Sequence, residues 1–93
     1  MSDADDAAVR TFVRDGRLTA MPGKLSRRRA VLDHLARASF APGRRYREPE
    51  INDILRAWCD GVPGVDHVAI RRYLIDLDIL AREDGLYWRA YEA

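Results

Sequence analysis

The chain has 93 residues, 47% of them hydrophobic, with 16 basic side chains against 15 acidic and a single cysteine. That length suits one domain around one modest core and excludes a second independent domain. One cysteine excludes an intramolecular disulfide, two histidines beside it exclude a structural zinc site of four Cys/His ligands, and no apolar run approaches a membrane span.

Residues 1–8 are acidic and polar, with no apolar stretch to mark export, so a cytoplasmic location and no membrane partner are expected. Val9, Phe12 and Val13 recur at helical spacing, which predicts a short amphipathic helix over residues 4–14, stopped at Asp15-Gly16. Leu18 to Met21 reads as extended, and Pro22-Gly23 breaks the chain before a second helix over 25–38, whose stripe is Leu25, Val31, Leu32 and Leu35. Phe40 returns to the core, and Pro42-Gly43 turns into a short strand over Arg44 to Arg47. A third helix runs from Pro49 to Trp58, with Ile51, Ile54, Leu55 and Trp58 on one face. After Gly61, Pro63 and Gly64, Asp66 caps a fourth helix with Ile70, Tyr73, Leu74 and Leu77 on its stripe. Ile79 to Arg82, the turn at Asp84-Gly85, and Leu86 to Tyr91 read as a β-hairpin, in which Leu86, Trp88 and Ala90 share one side and Tyr87, Arg89 and Tyr91 the other.

The expected fold is therefore α+β and mainly helical: a winged helix-turn-helix-like domain with a C-terminal β-hairpin and an extra N-terminal helix. Residues 1–16 would be the N-terminal helix and acidic tail, and 17–93 the winged-helix-like domain. The ordered series Asp15-Gly16-Arg17, Pro22 with Lys24, Phe40, Gly43 with Tyr46, Glu48 with Glu50-Ile51-Asn52 and Leu55, Asp66, Ile70-Arg71-Arg72 with Leu74-Ile75, Arg82, and Gly85 with Tyr87 resembles the domain of unknown function 2087 family over about residues 12–89. The resemblance implies a small bacterial domain that occurs alone or attached to helix-turn-helix regulators, and no assigned reaction. Arg47 stands where that family usually has a capping Ser or Thr, Pro49 where it has Lys, and Asp78 where a Gly usually ends the helix.

Charge is polarised along the chain. Residues 10–47 carry eleven basic residues against Asp15 and Asp33, a net of +9, whereas residues 48–93 carry five against ten acids, a net of −5, and Asp3, Asp5 and Asp6 complete the total. The basic cluster is Lys24, Arg27, Arg28 and Arg29, with Arg44, Arg45 and Arg47 near it if the strand lies beside that helix. Clustered arginines bind phosphate through paired hydrogen bonds and counterion release; the alternative is a solvated basic helix start. In a DNA-binding winged helix the fourth helix would enter the major groove, and His67, Val68, Arg71, Arg72 and Ile75 face away from its core stripe. Arg71 and Arg72 reach guanine edges or phosphates in that reading. The alternative is structural, with Arg72 paired to Asp76 and Arg71 to Glu48, Glu50 or Asp66. Tyr87, Trp88 and Tyr91 either stack on bases or divide between core and surface, and Trp58 belongs to the core.

Catalytic material is thin. Glu48 and Glu50 do not converge on a shared proton, Cys59 has no sequence partner, His67 beside Asp66 is a dyad on paper alone, and no glycine-rich phosphate loop or metal-ligand spacing occurs. The expectation is a small non-enzymatic bacterial regulator of transcription, without cofactor or metal, whose partner is DNA through Lys24, Arg27, Arg28, Arg29, Arg44, Arg45, His67, Arg71 and Arg72. The competing expectation is a protein-interaction or dimerisation module, using the Val68/Ile75 side, with no direct nucleic-acid binding.

Overall fold

A computed structural model describes residues 3–90, and Tyr91, expected in the hairpin, lies outside them. In chain order the elements are α1 (Asp3–Phe12), β1 (Val13–Arg14), β2 (Arg17–Leu18), α2 (Leu25–Ser39), β3 (Tyr46–Arg47), α3 (Glu48–Cys59), α4 (His67–Asp76), β4 (Leu80–Glu83) and β5 (Leu86–Arg89). They make a mixed α+β domain of four helices and two small antiparallel sheets, β1-β2 and β3-β5-β4. In the second sheet β5 is central: Tyr87 stands opposite Tyr46 of β3 on one side and Arg82 of β4 on the other.

The core joins both ends of the chain. Val31, Leu32, Leu35, Ile51, Leu55, Ile70 and Leu74 are completely buried, with Phe40, Leu80 and Tyr87 nearly so. Each such side chain contributes about 1.5–3 kcal/mol by leaving water. Ala8 of α1 and Leu18 of β2 belong to the same cluster. Trp58 closes one end, its indole N–H donating to Ser39 Oγ at 2.7 Å and its ring edge-on to His34. α1 packs on α2.

Three expectations are corrected. The first helix ends at Phe12, and Asp15-Gly16 is a hairpin turn, with φ of 54° and 74°, that pairs Val13 with Leu18 across the expected boundary at residue 16. The first strand of the second sheet is confined to Tyr46–Arg47, so Arg44 and Arg45 lie in the loop before it. Leu25 is on the stripe of α2 yet 62% exposed, because the first turn of that helix projects beyond the core. The C-terminal hairpin buries Tyr87 and leaves Trp88 half-buried, which decides the division between core and surface that the sequence left open.

Local chemistry accounts for the helix ends. Arg47 caps α3 without a side-chain acceptor, so only one half of a capping box forms, its backbone N–H donating to Glu50 Oε1 at 3.2 Å. Asp66 caps α4 fully, its Oδ1 accepting from Val68 N at 2.6 Å. Asp78 sits at φ 57°, in the left-handed region where glycine meets no steric penalty. Leu77 N–H donates to Tyr73 O, and Ile79 N–H to Leu74 O, so the helix closes and passes straight into β4.

Candidate nucleic-acid interface

α4 is short, capped by Asp66 and seated on the core through Ile70 and Leu74. Seating those two residues fixes the outward face, where Val68 is 38% exposed, Arg72 and Asp76 are exposed, and Ile75 is half-buried. The two arginines of this helix have different surroundings. Arg71 is turned sideways toward α3: it donates to Asn52 Oδ1, lies 3.9 Å from Glu48 Oε1, and has a side chain only 20% exposed. Glu48 Oε1 also accepts from the Tyr87 hydroxyl at 2.8 Å, so β5, α3 and α4 meet in one polar network. Arg72 makes no ion pair with Asp76 and no hydrogen bond among the described residues. His67 has its Nδ1 3.8 Å from Asp66 Oδ1 in the first turn.

The basic start of α2 also divides. Arg28 faces inward, its Nε donating to Pro22 O at 3.1 Å and its guanidinium lying 4.6 Å over the Tyr73 ring of α4. This contact brings the first turn of α2 against the flank of α4. Lys24, Arg27 and Arg29 are exposed, with neither hydrogen bond nor ion pair among the described residues. Lys24 caps α2 without a side-chain hydrogen bond, and no acid occupies the first turn, so helix dipole and cations add rather than cancel. The acids come from another element: Asp5 of α1 borders one groove with Lys24 and Arg27, and a second with Arg29.

Arg44 and Arg45 are held by aromatic rings on the sheet side. Arg44 pairs with Glu50 at 3.3 Å and lies 4.6 Å over Tyr46, while Arg45 lies 4.0 Å over Trp88. The aromatic face expected for base stacking is therefore occupied, at Trp88, by the protein's own cation. The nine sequence-selected residues thus form three groups: the α4 face, the α2 start joined to it through Arg28 and Tyr73, and the Arg44/Arg45 loop.

A further residue joins the α4 group. Arg82 of β4 is exposed, unpaired among the described residues, and shares with Val68, Arg71, Arg72 and Ile75 a groove of about 450 Å³ between α4 and the hairpin. Sequence reading passed over it because a lone arginine in a strand carries no periodic signal; the available sign was its place in the family-like series. Cys59 is buried in the core, and desolvation there, helped by Asp60 and Asp66, pushes its thiol pKa up, which keeps it protonated and unreactive. No group of three or more His, Cys, Asp or Glu able to hold a metal occurs among the described residues. No helix among them is long and apolar enough to cross a membrane.

These features define a small α+β domain with an outward helix, an adjoining hairpin and, on both, arginines unpaired among the described residues. The chain belongs to the family described as uncharacterized protein conserved in bacteria (DUF2087), whose model matches residues 17–89. No curated protein and no solved structure matches it.

Proposed function

We propose that the chain is a non-enzymatic bacterial regulator that binds DNA as a winged helix, with α4 in the major groove and the β4-β5 hairpin as the wing. The observation that carries this reading is the joint placement of Arg72 and Arg82: both are unpaired among the described residues, and they line one groove from the helix and from the hairpin. The order helix, strand, helix, helix, strand, strand from α2 onward, with a sheet ordered β3-β5-β4, supports it because that connection sets the last helix and the hairpin side by side. The start of α2, with Lys24, Arg27 and Arg29, supplies phosphate contacts beside α4. Arg71 is assigned to the internal network rather than to a base, since its side chain is turned to Asn52 and Glu48.

The test is fluorescence anisotropy of a labelled random duplex at about 50 and about 200 mM salt, a range over which several phosphate contacts change affinity by orders of magnitude. Binding that collapses with salt, and weakens in R72A and R82A, supports the reading. Absence of binding at the lower salt defeats it.

A second reading is favoured by exposed Val68 beside half-buried Ile75, an apolar strip that α1, packed on α2, does not fill. In that reading the domain docks a protein or a second copy of itself, and mass rises with concentration while affinity for random duplex stays negligible.

A further inference from the structure

The groove between α4 and β4 has a composition that outward helix faces do not require. Three guanidinium groups, of Arg71, Arg72 and Arg82, line it against one carboxylate, Asp76, with Val68 and Ile75 as its apolar wall. The three are not equivalent. Asn52 and Glu48 hold Arg71 from behind, and Tyr87 in turn holds Glu48, so Arg71 is ordered before any ligand arrives. Arg72 and Arg82 are free among the described residues, one on each wall. One fixed and two free guanidinium groups suit a ligand with several strong acceptor oxygens spread in three dimensions. A planar carboxylate is satisfied by one fork, whereas a tetrahedral phosphate offers oxygens to more than one guanidinium at once.

We propose that this groove is a phosphate-binding site, gripped by Arg72 and Arg82, with Arg71 as the positioned third cation. The phosphate comes from a nucleic-acid backbone or from a free phosphate compound; the backbone source rests on the DNA-binding reading, and the site itself does not. Ordering Arg71 in advance lowers the entropy lost when the anion binds, while Val68 and Ile75 form the apolar side of the groove.

The experiment follows the arginine Nε–H resonances of the full chain by NMR as inorganic phosphate is added, with sodium chloride at matched ionic strength as control. The expected result is a saturable shift of the Arg71, Arg72 and Arg82 signals, absent with chloride, and about tenfold weaker in R82Q, as expected for loss of one charge-assisted contact. Arg82 is exposed on an edge strand, so R82Q folds normally. Shifts that are equal with chloride, or spread evenly over all arginines, overturn the site.

Adding a short random duplex then separates the sources. Displacement of phosphate by duplex, with R82Q weakening both, assigns the site to the backbone. Saturable phosphate binding that duplex leaves undisturbed assigns it to a free phosphate compound and counts against the DNA reading alone. Duplex binding that survives unchanged in R72Q and R82Q, with no phosphate response, overturns the site and leaves DNA contact to the start of α2.

Discussion

The Tyr87 hydroxyl donates to Glu48 Oε1 at 2.8 Å, and the same oxygen lies 3.9 Å from the Arg71 guanidinium. One carboxylate therefore ties the central strand of the sheet to the first turn of α3 and to the side of α4. Y87F keeps the buried ring and removes the bond, so the expected cost is about 1 kcal/mol, the net worth of a typical hydrogen bond. For a domain of this size that lowers Tm by roughly 4–8 °C. A thermal melt checks it, and an unchanged Tm would mean that water replaces the tyrosine at Glu48 without loss.

Asp78 and Gly85 make a matched pair of backbone tests. Both hold positive φ, at 57° and 77°, and nothing lies within 4 Å of a Cβ added at Gly85, so conformation alone decides the outcome there. D78G is expected to raise stability by about 0.5 kcal/mol, because glycine reaches the left-handed region without the Cβ clash. G85A is expected to lower it by about 1 kcal/mol for the converse reason. Urea midpoints of the two variants should move in opposite directions.

Much of this architecture was readable in the sequence because helical periodicity reports burial directly. Ile51, Leu55 and Trp58 in α3, and Ile70 and Leu74 in α4, are buried as their spacing predicts. What periodicity missed has a common cause: it is blind to partners distant in the chain. Asp15-Gly16 and Asp84-Gly85 carry the same turn signal, yet β1 and β2 have only two residues each, too few to show alternation. Tyr87 rather than Trp88 faces the core because β5 pairs with β3 in the register Tyr46 to Tyr87, and Arg45, remote in sequence, covers Trp88. The candidate site divides on the same principle. That Arg71 and Arg72 are adjacent is plain from the sequence; that Asn52 and Glu48 take one of them is not, since Glu50 and Asp66 carry the same charge as Glu48.

Cys59 gives a prediction for alkaline pH. Burial raises its folded pKa above the unfolded thiol value, so the folded state holds the proton more tightly. The resulting stability is fully present below the unfolded pKa and is lost as pH rises through the folded one, which places the loss above the ordinary thiol range. Urea unfolding of the wild type should therefore weaken more between neutral and strongly alkaline pH than that of C59A, whatever the cavity costs at neutral pH. Parallel pH profiles would show that the thiol adds no alkaline sensitivity. The same burial predicts slow reaction with a thiol reagent until the domain unfolds.

The acids of α1 provide the last prediction. Residues 3–12 precede the stretch the family model matches, and their first turn carries Asp3, Asp5 and Asp6. α1 packs on α2 through a face that buries Ala8, and Asp5 borders the grooves that contain Lys24, Arg27 and Arg29. If the α2 start contacts phosphates, these acids oppose a polyanion at close range. The triple variant D3N/D5N/D6N is therefore expected to bind random duplex more tightly at about 50 mM salt, on the order of threefold to tenfold, with the gain shrinking at about 200 mM as screening shortens the range of the charges. The apolar contacts of α1 are untouched, but its first turn loses favourable charge–dipole contacts of about 0.3–1 kcal/mol each, so the melt should fall by some degrees while the fold is kept. A tighter complex at low salt places the α2 start in the interface; equal affinity, with R72A still weakening binding, confines the interface to α4 and the hairpin.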